Sequence, residues 1–137
     1  MTASLSTAEI KRRVRAELLA RRREQIEAGL KKLAAAAKAA RATYMAAAET
    51  LTVSRRKSAA RLDKAVAAEL APLKLERAKF VTELAALPEA DWSAAGTDRV
   101  QFTVSTNPGA PPAPIARIAS GGELSRFLLA LKVCLAK

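Results

Sequence analysis

Between Thr7 and Leu70 the sequence contains no proline and only one glycine, Gly29. A run of that length without a breaker leaves a long continuous helix as the simplest fold, since one glycine costs about 1 kcal/mol relative to alanine without ending a helix. Its start is also written locally. Ser6 and Glu9 have the spacing of a capping box, and Leu5 and Ile10 stand where a hydrophobic staple would close over it, so the helix is expected from Thr7, after a disordered lead of residues 1–4. Unbroken to Leu70, it would be about 95 Å long.

The apolar pattern says what such a helix needs. Leu30, Leu33, Ala37, Ala40, Tyr44, Ala47 and Leu51 alternate steps of three and four, continued more weakly at Ser54 and Ser58. That is the seam of a coiled coil and requires a partner helix. Beyond it Leu62, Val66 and Leu70 step by fours, as Ile10, Val14 and Leu18 do before it, so the stripe drifts round the helix at both ends. A second arrangement has residues 7–28 folding back at Gly29 as a short hairpin. Alanine supplies much of the apolar half of the composition and aromatics only 4%. A chain of 137 residues built this way buries little area per residue, which fits a long helix plus a small mixed lobe.

The charge is one-sided along the chain. Residues 1–80 hold 19 Lys and Arg against 8 Asp and Glu, whereas residues 81–137 hold 5 of each, so the whole net charge of +11 sits on the first part. Arg12, Arg13, Arg15, Arg21, Arg22, Arg23, Lys31 and Lys32 form one cluster, and Arg55, Arg56, Lys57, Arg61 and Lys64 a second. Such clusters are either a solvated helix face or a phosphate-backbone contact that reads no sequence. There is no histidine and one cysteine, Cys134, which excludes a disulfide framework and offers no metal set; a free buried thiol is expected there, on the apolar face of the last helix, and suits a reducing cytoplasm. No apolar leader or membrane-length stretch appears.

Pro72 closes the arm and the period changes. Residues 77–84 alternate, with Ala78, Phe80, Thr82 and Leu84 on one face and Lys79, Val81 and Glu83 on the other, which reads as a strand with helix as the alternative. Residues 87–97 are loop, Trp92 anchoring it. Residues 99–106 are the clearer strand, with Val100, Phe102 and Val104 inward and Arg99, Gln101, Thr103 and Ser105 outward, and the two strands should pair antiparallel. Asn107-Pro108-Gly109 is a turn, and residues 110–114 are too proline-rich for regular structure.

Ser120 and Glu123 form a second capping box, opening a helix in which Leu124, Phe127, Leu128, Leu131 and Leu135 should pack on the lobe. Two readings stand at its first turn. One is a well-capped core helix. The other is a phosphate site, because Gly121 and Gly122 leave the unpaired N–H groups uncovered, the helix N-terminus is partially positive and Ser120 adds a hydroxyl.

The longer string SGGELSR resembles the signature motif of ATP-binding-cassette ATPases in its SMC-like form. IASGGELSRFLLALK, residues 118–132, is similar to the version in the RecN family of bacterial DNA repair proteins, and LKLERAKF (73–80), GTDRVQF (96–102) and TNPG (106–109) follow in the order of that family's C-terminal head lobe. The resemblance covers residues 50–137; earlier residues resemble only a generic arm. It implies an α+β chain, with residues 1–72 a coiled-coil arm and residues 73–137 part of an ATPase head lobe. It implies a role in double-strand-break repair and recombination, in a bacterial, nucleoid-associated cytoplasmic setting. Ser120, Gly121 and Gly122 would contact ATP bound to an opposing head, Glu123 would cap the helix, and Arg126 would face the nucleotide, brace the interface or form a surface salt bridge. The implied partners are a complementary head half or a second copy, and DNA, bound non-specifically through Arg12, Arg13, Arg21, Arg22, Arg23, Arg55, Arg56 and Lys57. The rising arm helix, the phosphate loop G-x-x-x-x-G-K-[ST] and the Walker B acids are all missing from the sequence, so Mg²⁺ would be held by residues outside it and the chain alone should not hydrolyse ATP. On this reading it is a partial RecN-like protein. The contrasting reading is a non-enzymatic basic helical protein that binds nucleic acid.

Overall fold

The computed structural model describes residues 5–118 and 120–136; the expected disorder of residues 1–4 lies outside them. Element order is α1 (Thr7–Leu70), β1 (Lys79–Ala86), β2 (Asp98–Ser105), β3 (Ala113–Pro114) and α2 (Gly121–Leu135), an α+β arrangement with short 3-10 turns at Glu89–Asp91 and Ile115–Arg117. The compact units divide within α1, at Met45/Ala46.

In the first unit α1 runs unbroken through Gly29, so the fold-back at that residue does not occur. The capping box is formed: the Ser6 amide donates to Glu9 Oε2 at 2.7 Å and the Glu9 amide to Ser6 Oγ at 3.3 Å. Every described residue from 5 to 43 is exposed, the seam leucines included, with Leu33 at 69%.

In the second unit the rest of α1 packs through Ala48, Thr52, Ala59, Val66 and Leu70. This face is one residue out of step with the expected Ala47, Leu51, Ser54 and Ser58, about 100° round the helix. A loop approaches α1 beside this face, at Leu51 and Arg55. Gly96, with φ +98°, lies where a Cβ would be 3.1 Å from Leu51 Cδ2 and 3.2 Å from Arg55 Nη1. The helix ends in a Schellman motif: the Leu75 amide donates to Leu70 O and the Lys74 amide to Ala71 O, both at 3.0 Å, with Lys74 in the left-handed position at φ 58°. Leu70 and Leu75 also meet in the core, the apolar contact that goes with this motif.

The sheet is antiparallel in the order β1-β2-β3, with Phe80 opposite Val104 and Val81 opposite Thr103. Its inner face and α2 enclose a core of Val66, Leu70, Leu75, Phe80, Val104, Phe127, Ala130 and Leu131. Phe80 and Phe102 pack tilted, ring centroids 5.5 Å apart. Asp63 fastens α1 to β1, accepting from both the amide and hydroxyl of Thr82 at 2.9 and 2.7 Å.

Three expectations are corrected. Residues 113–114 do form a strand, Ala113 pairing with Val104 and Pro114 with Thr103; an edge strand tolerates a proline that has no N–H to give. Thr103 is buried, not outward, because it sits on the central strand between Val81 and Pro114, its hydroxyl 3.2 Å from Val81 O and from Glu83 Oε1. Val100 is exposed, as are Leu128 and Leu135, since α2 buries the stripe Phe127, Ala130 and Leu131, with Leu124 half-buried and Cys134 half-buried against the core.

Candidate functional site

The first turn of α2 is built as the capping box dictates. Ser120 has extended φ/ψ of −91° and 117° and its Oγ accepts from the Glu123 amide at 3.4 Å. The Ser120 hydroxyl proton therefore still points elsewhere. Neither Gly121 nor Gly122 is in the left-handed region, and a Cβ would meet nothing within 4 Å at Gly121 and only Ser120 Oγ, at 3.9 Å, at Gly122. The fold itself thus has no steric need for glycine at either position, although each costs a helix about 1 kcal/mol relative to alanine. What the two glycines provide is an uncovered backbone: N–H groups of the first turn, exposed at Gly121 and Gly122, with the positive end of the helix behind them.

Arg126 is turned the other way along the helix. Its Nε donates to Gly122 O at 3.2 Å and its Nη1 to Leu73 O at 3.4 Å, so the half-buried guanidinium reaches one of the last carbonyls of the Schellman turn. It braces α2 against the end of α1. Ser125 Oγ donates to Gly121 O at 2.8 Å, further fixing the turn. Glu123 is half-buried and lines, with Arg117, Thr106 and Pro111, a hollow of about 190 Å³ beside the turn. An apolar hollow of about 510 Å³ lies at the other end of α2, between Phe102, Ile115, Leu128 and Leu135. Among the described residues no group of His, Cys, Asp and Glu could hold a metal ion.

The basic residues fall into two kinds. Arg12, Arg13, Arg15, Arg21, Arg22 and Arg23 are all exposed, Arg21 pairing with Glu17 one turn back at 2.9 Å. At 100° per residue Arg12, Arg15, Arg22 and Arg23 fall within a sector of about 100°, a usable basic side. In the second cluster Arg56 and Lys57 are exposed, but Arg55 is not free: its Nη2 donates to Ala95 O at 2.8 Å and its Nη1 lies 3.7 Å from Asp98 Oδ2. Asp98 also accepts from Thr52 Oγ1, so Thr52, Arg55 and Asp98 form one network joining α1 to β2. That role was invisible in the sequence, where Arg55 reads as part of a charge run and its partner lies 43 residues away. The spacing of Thr52 and Arg55 on one helix face was the only available signal.

No helix among the described residues is long and apolar enough to cross a membrane. No family model matches the chain. Curated relatives do. DNA repair protein RecN of Vibrio cholerae is 46% identical over 95 residues, 69% of this chain and 17% of the relative. RecN of Haemophilus influenzae is 47% identical over 88 residues, 64% of this chain and 16% of that protein, and RecN of Synechocystis is 44% identical over 84 residues, 61% and 14%. The chain spans about a sixth of the length of the curated relatives it matches. Identity at this level to RecN proteins of several different bacteria, over some two thirds of the chain, makes this a member of the RecN family of DNA repair proteins, represented here by one part of its length.

Proposed function

We propose that this chain supplies the signature helix of a RecN-type ATPase head, Ser120, Gly121 and Gly122 meeting the terminal phosphate of ATP held by an opposing head, in the service of DNA repair. The observation that carries the reading is the pair of glycines at an open first turn, where the fold leaves room for side chains and has none. A polyphosphate fits that turn: uncovered N–H groups, the helix dipole and the Ser120 hydroxyl all favour an anion approaching along the helix axis. ATP would bring the phosphate anhydride to be cleaved and the bound Mg²⁺; this chain's residues bind and orient. Ser120 donates its hydroxyl hydrogen while holding the Glu123 amide, and Arg126 keeps the helix at a fixed angle to the end of α1. A phosphate loop, Mg²⁺ ligands and a base would all come from the rest of the head. The exposed Leu128, Leu129, Val133 and Leu135 on α2 are surface that the remainder of such a lobe would cover.

The test is ATP-dependent association of this chain with a RecN-type half carrying the phosphate loop, followed by sedimentation. Association that requires ATP with Mg²⁺, and weakens at least about tenfold in Ser120→Arg, supports the reading. Association indifferent to ATP, or unchanged by Ser120→Arg while circular dichroism shows α2 intact, removes it.

A second reading rests on the exposed basic side of α1. Arg12, Arg15, Arg22 and Arg23 would hold DNA by its phosphates, with Arg13, Arg21, Arg56 and Lys57 adding to the field, and no base would be read. The two readings are compatible, since they use different residues.

A further inference from the structure

We infer that Arg117 is a further nucleotide contact of this chain, its guanidinium meeting the phosphates of the ATP whose terminal phosphate lies over Ser120, Gly121 and Gly122. The inference rests on the nucleotide reading of that turn and names the side chain that gives it a full positive charge. N–H groups, a hydroxyl and a helix end carry only partial charges, whereas a triphosphate arrives with several full ones. The full charge in the turn itself has the wrong sign. Glu123 is half-buried on the wall of the hollow of about 190 Å³, and its carboxylate has no hydrogen-bond or ion-pair partner among the described residues. A phosphate approaching the turn therefore meets an uncompensated anion unless a cation stands beside it.

Two arginines flank the turn in sequence, Arg117 and Arg126. Arg126 is committed to Gly122 O and Leu73 O and braces the fold. Arg117 is exposed, lines the same hollow as Glu123, and makes no hydrogen bond or ion pair among the described residues, so the two share the hollow without pairing. The backbone under Arg117 is nevertheless fixed. Its short 3-10 turn, Ile115–Arg117, closes with the Ile118 amide donating to Ile115 O at 3.3 Å, and Ile115 and Ile118 both pack against the core. The guanidinium is thus carried on an anchored turn three residues before Ser120, with its donors unused. Its planar fork matches phosphate oxygens, and its charge offsets Glu123 when the phosphate arrives.

The test is the association of the full chain with a RecN-type half carrying the phosphate loop, measured by sedimentation in ATP and Mg²⁺, with circular dichroism to show that each variant keeps its helices. Arg117→Ala should weaken the ATP-dependent complex about tenfold, and Arg117→Lys by less, since an ammonium keeps the charge without the fork. Glu123→Gln in the Arg117→Ala background should recover at least about threefold, because the charge that Arg117 offsets is then gone. A merely structural Arg117 would show no such recovery. If Arg117→Ala associates as tightly as the parent while Ser120→Arg does not, Arg117 makes no contact and the nucleotide reading survives without it. A lysine variant as weak as the alanine variant, or no recovery from Glu123→Gln, also overturns the inference. If the parent chain associates without regard to ATP, the nucleotide reading fails and the role of Arg117 falls with it.

Discussion

Residues 7–45 and residues 46–70 are one helix with much the same composition, yet the first stretch has no buried residue, with Tyr44 near its end half-buried, and the second buries Ala48, Thr52, Ala59, Val66 and Leu70. Nothing in helix propensity distinguishes them. The difference is what stands opposite the later residues: a sheet, a loop at Gly96 and α2. A leucine seam without a partner and an alanine-threonine face with one show that apolar periodicity marks a surface's capacity to pair. Burial is conferred by the partner.

The sharpest way to break this contrast is to empty the core. Phe127 is 0% exposed and belongs to the core cluster that also holds Val66, Phe80 and Val104. Phe127→Ala should cost about 3–5 kcal/mol, enough to unfold a small lobe. Hydrogen exchange read by mass spectrometry should show protection lost across residues 79–135 together, with the pattern over residues 7–45 unchanged. Leu33→Ala, at a leucine more exposed than any in the core, should leave the melting of a monomeric sample within about 0.5 kcal/mol of the parent. Comparable losses from the two substitutions would end the distinction.

Next in size is the loop that the second stretch of α1 admits. Gly96→Ala places a Cβ in the left-handed region, 3.1 Å from Leu51 and 3.2 Å from Arg55. A penalty of about 1–2 kcal/mol is expected from the backbone conformation alone. Asp98→Asn should have a related consequence, since it keeps the shape but removes the charge beside Arg55 and alters the Thr52 hydrogen bond. If the Thr52, Arg55 and Asp98 network holds the loop to α1, Gly96→Ala and Asp98→Asn will be non-additive in urea melts, because they loosen one unit. Strict additivity would mean that the two sites act separately.

These residues also show which parts of the fold a sequence discloses. The Ser6–Glu9 and Ser120–Glu123 boxes, the unbroken α1 and the antiparallel β1–β2 pair were legible because each depends on neighbours within a few residues or on a period of two. Thr103, Arg55 and residues 113–114 were not. Thr103 alternates with apolar residues and so reads as outward, until a third strand makes β2 central. Arg55 reads as one cation among five, until Asp98 arrives from the far side of a loop. The one-residue offset of the α1 packing face was equally hidden, since Ala47/Leu51 and Ala48/Thr52 are both acceptable stripes and only the position of the sheet chooses between them. At the candidate site the residues were found by motif, and the structure added what the motif does not contain: the open space over Gly121 and Gly122, and the reach of Arg126 to Leu73 O.

A smaller and opposite effect is expected where α1 ends. Lys74 holds the left-handed position of the Schellman motif, which costs a non-glycine residue about 1 kcal/mol. Lys74→Gly should therefore stabilise the second unit by somewhat less than that, the greater freedom of glycine in the unfolded chain offsetting part of the gain. Thermal melts with Lys74→Ala as control separate backbone strain from lost charge, for alanine keeps the strain. If Lys74→Ala stabilises as much as Lys74→Gly, the left-handed geometry is not the cause.

The smallest effect lies at the opposite end of α1 and depends on pH. The Glu9 carboxyl is held below its usual range, first by the hydrogen bond with the Ser6 side chain and then by the Ser6 amide that it accepts. A carboxylate with a lowered folded pKa contributes stability that is complete above its unfolded value and is lost as pH falls through the folded one. Acidification through the carboxylate range should thus loosen the first turn of α1, seen as faster amide exchange, after correction for intrinsic rates, at Glu9 and Ile10. Glu9→Gln keeps an acceptor without a titrating charge and should flatten the dependence, while Ser6→Ala should remove the turn's protection at every pH. If Glu9→Gln retains the full pH response, the charge on Glu9 is not what holds the start of the helix, and the cap must be credited to Ser6 alone.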